Sequence, residues 1–166
     1  MIINVRKEEI NKAKEVMALF DKHKTYDKFK CNTNWIGYLG ELVFDRYLKY
    51  NNIKHEWVDF FGEGYDRPDF IINGVSIDLK TSYKDNMWTQ QVKHDIYIFA
   101  QLSNDNKFIN FKGFMTKEGI TKAKEMGIMK QVNFRNRVDW VISSSNMLPI
   151  ELLSGISSNS HSNLLR

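Results

Sequence analysis

The sequence predicts an α/β (α+β) fold in which helices flank a central mixed sheet. Two segments, residues 5–24 and a stretch ending near residue 50, place apolar side chains at helical spacing. Asn73-Gly74 lies between two apolar runs and indicates a β-hairpin, because a type I′ turn needs positive φ at both central residues. The mostly apolar run at 95–102 is typical of a buried strand.

The elements before the hairpin follow from apolar spacing. The first helix carries a stripe made of Ile10, Ala13, Val16, Met17 and Phe20. The second helix is capped by Asn32 or Asn34, and Glu41 lies off its apolar stripe. Glu41 follows Gly37 by about one turn, and we expect the missing side chain there to let another element approach. Residues 53–59 read as a first strand, followed by a loop at 61–67.

The elements after the hairpin are less regular. Residues 84–93 fit either a short helix or an irregular crossover. A strand at 108–115 should pair with 95–102 through the turn at 104–106. Thr116 then caps a helix that ends near Gly127, since glycine is favoured just past a helix end.

A late strand follows at 138–143. We expect one domain over residues 1–153, because 166 residues can bury a single core. The remaining residues, 154–166, are rich in Ser and Asn and are predicted to form a flexible tail.

The hairpin has a register that its two-residue loop determines. Ile72 pairs with Val75, and the same count brings Asp69 opposite Asp78. Because side chains alternate between faces, one face is entirely apolar. Its members are Phe70, Ile72, Val75, Ile77 and Leu79. The other face carries Asp69, Ile71, Ser76, Asp78 and Lys80.

Opposed carboxylates on that second face need a positive partner, because like charges across strands are destabilising. A divalent cation with oxygen ligands would stabilise the pair of Asp69 and Asp78. The alternative is that Arg67 or Lys80 neutralises two ordinary surface carboxylates.

These residues also form a recognisable motif. Pro68-Asp69, a spacer and Asp78-Leu79-Lys80 together resemble the PD-(D/E)xK signature of the restriction-endonuclease-like nuclease superfamily. Glu41 matches the Glu that such families place on the helix before the first core strand. The resemblance spans roughly residues 34–100 and suggests a small single-domain member, of Holliday-junction-resolvase or phage type. It implies an αβββαβ core, with the later segments as an elaboration.

The resemblance also implies a role for each site residue. Asp69, Asp78 and the backbone carbonyl of Leu79 would bind Mg²⁺, which Mn²⁺ can replace. Glu41 would contact the metal directly or through water. Lys80 would orient the attacking water or stabilise the phosphate charge, and it would act as a base only if its pKa were depressed.

Other polar residues near the motif have two readings. Glu63 and Asp66 could be extra acids or solvated loop residues, and their role stays open. Gln90 and Gln91 loosely resemble a Gln that some superfamily members place after the D-x-K tripeptide. Thr81 and Ser82 could contact a phosphate or simply end the strand.

Composition excludes several function classes. No apolar run is long enough for a membrane span, and the N-terminus lacks a signal-peptide pattern. Cys31 is the single cysteine, so no internal disulfide or Cys-based zinc site can form, and we expect a cytoplasmic protein, in the host cytoplasm if viral. The four histidines show no ligand or triad spacing. No P-loop motif occurs, so a nucleotide cofactor is not expected.

These observations predict a Mg²⁺-dependent DNA nuclease. The net charge of +4 permits nucleic-acid binding, and the later half is modestly basic. Its basic residues are Lys112, Lys117, Lys122, Lys124, Lys130, Arg135 and Arg137. Without a reader domain, a structure-specific or partner-directed endonuclease, acting as a homodimer, is expected. A non-catalytic nucleic-acid-binding protein on a nuclease fold and an RNA nuclease are the alternatives.

Overall fold

The fold is seen in a computed structural model that describes residues 1–23, 34–58, 67–89, 91–134 and 137–153. Several sequence predictions concern residues outside these ranges. They are the Asn32 cap, the roles of Glu63, Asp66 and Gln90, the basic side chain of Arg135 and the tail at 154–166.

Three helices and nine strands make up the described chain. The helices are α1 (Lys7–His23), α2 (Asn34–Tyr50) and α3 (Lys117–Glu125). The first strands are β1 (Ile2–Asn4), β2 (Glu56–Trp57), β3 (Phe70–Ile72), β4 (Val75–Ser82) and β5 (Asn86–Thr89). The later strands are β6 (Ile96–Leu102), β7 (Phe108–Thr116), β8 (Lys130–Phe134) and β9 (Arg137–Ser143). Short 3₁₀ turns follow at Ser144–Asn146 and Ile150–Leu152.

The strands form two sheets. The larger has six strands in the order β1-β7-β6-β4-β3-β2, and the smaller has the order β5-β9-β8. In the larger sheet β4 and β6 are parallel and all other pairs are antiparallel, so the sheet is mixed. The predicted α/β (α+β) class is therefore confirmed at the level of a mixed sheet with helices.

The Asn-Gly hairpin is confirmed in its register. Asn73 has a φ of 50° and Gly74 a φ of 81°, the positive values that a type I′ turn requires. Ile72 pairs with Val75 and Phe70 pairs with Ile77. The regular ladder ends at this last pair, one step short of Asp69 and Asp78.

Helix α2 packs on the apolar face of the hairpin and forms the main core. Phe44 of α2 is fully buried and meets Phe70 edge to face, with ring centroids 5.2 Å apart. Its ring also lies 5.4 Å from that of Phe111 on β7. Burying one such side chain contributes roughly 1.5–3 kcal/mol. This packing holds α2, the hairpin and the middle of the sheet together.

The segment between β4 and β6 differs from the prediction. Residues 84–93 were expected to form a short helix or an irregular crossover, and instead they contain strand β5, which pairs with β9. Met87 and Thr89 point inward and are buried, while Trp88 alternates with them. In the described part of this connection, a strand of the second sheet occupies the position of the crossover helix in an αβββαβ core.

Some of the other predicted elements have the expected boundaries, and others are shorter in the structure. The predicted strand at 53–59 is only Glu56–Trp57, and strands β1 and β8 were not predicted. Thr116 caps α3 as predicted, since its Oγ1 accepts a hydrogen bond from the Gly119 N–H at 3.0 Å. Gly127 follows that helix with a φ of 70°. Among the described residues, the helices lack the combination of length and apolarity that crossing a bilayer requires.

A second apolar cluster joins the two sheets. Its buried members come from β5, β6, β7, α3 and β9 and include Met87, Tyr97, Phe99, Met115, Ile120 and Ile142. The hairpin face that carries Asp78 and Lys80 is on the same side of β4 as this cluster, because these residues pair with Tyr97 and Phe99 of β6. The acidic face of the hairpin therefore lies opposite the α2 core.

Candidate active site

Asp69 stands just before β3 and is held against β4. Its N–H donates to the carbonyl of Ile77 at 2.9 Å, and its Oδ2 accepts from the N–H of Leu79 at 2.6 Å. The carboxylate therefore occupies the edge of β4 just past the point where the ladder with β3 ends. A carboxylate that accepts a backbone N–H in this way has a fixed orientation.

The carbonyl of Leu79 belongs to the same edge. In a strand, the N–H and C=O of one residue point to the same side of the chain. Since the Leu79 N–H points to Asp69, its carbonyl oxygen also points to the edge where Asp69 lies. The Leu79 carbonyl oxygen, the predicted backbone ligand of the metal, is therefore on the same edge of β4 as the Asp69 carboxylate.

Asp78 and Lys80 are on one face of β4 and form an ion pair. Lys80 Nζ lies 2.7 Å from Asp78 Oδ1. The Lys80 side chain is 41% exposed, whereas that of Asp78 is 13% exposed. The neutralisation of Asp78 by Lys80, an alternative to a metal in the sequence argument, is thus the arrangement in this structure.

Glu41 reaches the site from α2. It is only 6% exposed, and its Oε2 accepts a hydrogen bond from the indole N–H of Trp57 on β2 at 3.1 Å. Glu41 thus points toward the sheet, on the side of the hairpin. The glycine that permits close approach is Gly40. The expectation for Gly37 was wrong as far as the described residues go, since a Cβ at Gly37 would meet none of their atoms within 4 Å.

Burial and mutual repulsion raise the pKa of two of these carboxyls. Burial raises the pKa of Glu41 to about 7, the charge of Asp78 adds to the rise, and the Trp57 hydrogen bond and Lys80 oppose it. Burial also raises the pKa of Asp69 well above its usual range, with further contributions from the charges of Glu41 and Asp78. The three carboxyls therefore form one interacting group, in which an added cation would favour the charged forms.

The same surroundings keep the Lys80 ammonium charged. Burial works to lower its pKa, but the charge of Asp78 and the hydrogen bond to it outweigh that effect, so the pKa of Lys80 is raised. Asp69 contributes to the rise. Lys80 is therefore a cation at neutral pH in this arrangement, which fits stabilisation of charge and does not fit a general base.

The donor chemistry at this site suits a hard divalent cation. Glu41, Asp69 and Asp78 offer carboxylate oxygens, and Leu79 offers a carbonyl oxygen, which are the ligands Mg²⁺ takes. In the described residues, however, no group of three or more His, Cys, Asp or Glu is already arranged to hold a metal. Metal binding through Asp78 would compete with Lys80 for Oδ1.

The remaining sequence candidates are outside this cluster. Thr81 Oγ1 is buried, and Ser82 Oγ donates to the carbonyl of Lys84 at 3.0 Å, so neither hydroxyl is presented to a ligand. Gln91 is exposed, and its backbone carbonyl accepts from the hydroxyls of Thr89 and Tyr97.

Two of the basic candidates are already engaged. Lys112 Nζ lies 3.2 Å from Asp85 Oδ1, and Lys124 Nζ lies 5.1 Å from the ring centroid of Trp140. Arg67, the other proposed neutraliser of the carboxylates, is exposed.

Sequence reasoning missed two polar contacts of α2, which are made by Trp57 of β2 and by His55 just before that strand. Trp57 was not considered, although a buried indole N–H needs an acceptor and could have been paired with a helix carboxylate. His55 was dismissed for lack of ligand spacing, yet its Nε2 lies 2.9 Å from Asp45 Oδ1 and its Nδ1 is 2.8 Å from the Ile53 carbonyl. Asp45 is one turn beyond Glu41, so this pair fixes the same helix to the strand that carries Trp57.

Comparison of the chain with protein-family models, with curated proteins and with solved structures gives no match.

Proposed function

We propose that this protein is a Mg²⁺-dependent nuclease that hydrolyses DNA phosphodiester bonds, with the site chemistry of the PD-(D/E)xK superfamily. The observation that carries the proposal is that Glu41 of α2 and Asp69, just before β3, converge with Asp78 and Lys80 of β4. Charge interactions link all four groups, and the pKa values of Glu41 and Asp69 are raised. A cluster with a purely structural role has no need of three mutually repelling carboxyls, of which Glu41 is buried and Asp69 and Asp78 are partly buried.

Each residue has a task in this proposal. Asp69, Asp78 and the Leu79 carbonyl would hold Mg²⁺ or Mn²⁺, with Glu41 bound directly or through water. When bound, the metal lowers the pKa of a coordinated water and neutralises charge on the phosphate. Lys80, as a cation, leaves Asp78 Oδ1 and interacts with the phosphate or the attacking water. Asp69 is kept in place by the Leu79 N–H throughout.

The substrate class follows from the resemblance and the charge. The net charge of +4 supports contacts to a polyanion without sequence reading. We therefore expect a structure-specific or partner-directed endonuclease that acts on DNA, including branched DNA, as a homodimer in the cytoplasm.

A substrate panel tests the proposal. Purified protein is incubated with labelled duplex, junction, flap and single-stranded DNA, and with matched RNA, in Mg²⁺, Mn²⁺ or EDTA. Metal-dependent cleavage that disappears in Asp78→Asn supports the proposal. Cleavage of RNA alone would assign an RNA nuclease, and cleavage that persists in EDTA or in the variant would contradict the metal site.

The second candidate is a non-catalytic nucleic-acid-binding protein on this scaffold. The observation in its favour is the 2.7 Å ion pair between Lys80 and Asp78, which satisfies both groups without a metal. Calorimetric titration with Mg²⁺ and Mn²⁺ separates the two candidates. A binder would retain DNA affinity and show no heat of metal binding that depends on Asp69 or Asp78.

A further inference from the structure

Helix α2 touches β4 closely at one point, between Gly40 and Thr81. A Cβ on Gly40 would lie 2.9 Å from Thr81 Cβ and 3.2 Å from its Cγ2, and nearer still to its Oγ1. Packed Cβ atoms do not approach that closely, so any side chain at position 40 would force the helix and strand apart. The same construction at Gly37, about one turn earlier on α2, meets no atom within 4 Å in the part of the chain that the structure describes.

Thr81 fills space at this contact, and its hydroxyl group makes no hydrogen bond there among the described residues. Its Oγ1 is buried and has no hydrogen-bond partner in the part of the chain that the structure describes. Leaving a buried hydroxyl unpaired is unfavourable for stability. The hydroxyl therefore does not stabilise the contact, and Thr81 contributes its volume there.

The neighbours of the two residues connect this contact to the site. Glu41 directly follows Gly40 on α2, and Lys80 directly precedes Thr81 on β4. The distance between helix and strand at Gly40 therefore decides how far the Glu41 carboxylate reaches across the sheet edge. From the β2 side, the Trp57 indole N–H donates a hydrogen bond to that carboxylate.

We infer that Gly40 and Thr81 are positioning residues: their close contact sets the depth at which α2 packs on β4 and so places the Glu41 carboxylate beside Asp69 and Asp78. The geometric observations behind the placement are the Gly40–Thr81 contact and the Trp57–Glu41 hydrogen bond. The consequence of this placement for metal binding and cleavage rests on the proposed function.

Gly40→Ala tests the inference, with Gly37→Ala as its matched control. Both changes add one methyl group to α2 and raise its helix propensity by the same amount. The first readout is the NMR resonance of the Trp57 indole N–H, assigned with Trp57→Phe, which reports the hydrogen bond to Glu41 without any need for activity. The second is Mn²⁺ affinity by calorimetry, and the third is single-turnover cleavage.

We expect Gly40→Ala to move the indole resonance, weaken Mn²⁺ binding about tenfold and slow cleavage by up to about a hundredfold, as a misplacement near 1 Å can. Gly37→Ala should match the wild type in all three readouts. Gly40→Ala combined with Thr81→Gly, which removes the obstructing atoms, should restore them. Thr81→Val, which keeps the size and removes the hydroxyl, should also match the wild type.

Two results would overturn the inference. One is an unmoved indole resonance in folded Gly40→Ala. The other, which applies also if Gly40→Ala does not fold, is a displaced resonance or weakened metal binding in Thr81→Val, which would show that the hydroxyl itself matters. If the wild-type protein neither binds metal nor cleaves, the proposed function fails, and the indole resonance still decides whether Gly40 positions Glu41.

Discussion

Trp57 donates its indole N–H to Oε2 of Glu41 at 3.1 Å, joining strand β2 to the buried carboxyl of α2. This bond favours the charged carboxylate and lowers the pKa of Glu41 against the larger effect of burial. Trp57→Phe removes the donor and keeps an aromatic ring stacked on Phe70. We expect the pKa of Glu41 to rise further, because the lost hydrogen bond stabilised only the charged carboxylate.

The measurement for Trp57→Phe is the dependence of Mg²⁺-supported cleavage on pH. The part of the profile in which the rate rises with pH, its rising limb, should move to higher pH, because Glu41 then loses its proton at higher pH. The maximal rate above that range should stay close to that of the wild type. A limb that stays in place would show that the hydrogen bond does not tune Glu41. Trp88→Phe is the matched control, since it removes an indole N–H that donates to Asn86 at 2.9 Å, and it should leave the limb in place.

Asp78→Asn should abolish cleavage with little effect on folding. The substitution removes a metal ligand, so we expect a loss of at least about a hundredfold, since metal ions contribute several kcal/mol to such reactions. In EDTA the melting temperature should stay near that of the wild type, because relief of repulsion with Glu41 and Asp69 offsets the lost ion pair with Lys80.

Asp85→Asn is the matched control for Asp78→Asn. Asp85 also pairs with a lysine, Lys112, at 3.2 Å and accepts a hydrogen bond from Ser144 at 2.7 Å, but it is not part of the carboxyl cluster. This variant should cleave normally. Equal loss of cleavage in both variants would mean that a lost ion pair, and no metal site, explains the effect.

Lys80 should act in catalysis as a cation. Lys80→Met is expected to retain DNA and metal binding but to lose turnover by orders of magnitude, because charge on the phosphate is then uncompensated. Lys80→Arg keeps the charge and should retain a measurable part of the rate. Equal inactivity of the two variants in single-turnover assays would point to a proton-transfer role, which the raised pKa of Lys80 argues against.

The metal-free protein should lose stability between about pH 4.5 and pH 7. The folded state raises the pKa of Glu41 from 4.5 to about 7, so the folded protein binds more protons than the unfolded chain in this range. The stabilisation is complete below the unfolded pKa and is lost as pH rises through the folded pKa. The effect is at most roughly 3 kcal/mol, and it involves Asp69, Asp78 and Lys80 as the facing charged groups.

Chemical denaturation in EDTA at pH 5 and pH 8 measures this loss. Glu41→Gln carries no charge at either pH and should flatten the dependence, making the variant more stable than the wild type at pH 8. Glu125→Gln removes an exposed carboxylate of α3 and provides the control. A wild-type curve as flat as that of Glu41→Gln would contradict the buried, protonated state.

The hairpin and α2 could be predicted from sequence because their signals are local. A two-residue Asn73-Gly74 turn determines every pairing after it, and the spacing of apolar residues marks α2 over four turns. The same counting placed Asp69, Asp78 and Lys80 on one face of the hairpin. The resemblance, and no spacing rule, singled out Glu41.

Other features depend on tertiary contacts that no local pattern encodes. Strand β5 is only Asn86–Thr89, and four residues with a period of two are not distinguishable from a loop. It forms because β9, more than forty residues later, offers an edge to pair with. Likewise, the choice between Gly37 and Gly40 as the point of close approach depends on the rotation of α2 against β4, which the sequence leaves free.

The two-residue turn has a consequence for how this protein can change over evolutionary time. Substitutions along the hairpin alter one side chain each, but inserting or deleting one residue in the turn would shift the pairing by one step. Every residue of β4 would then exchange faces, sending Asp78 and Lys80 into the α2 core and Leu79 to the site. The number of residues between Asp69 and Asp78 should therefore stay constant in any descendant that keeps the site, even where the residues between them change.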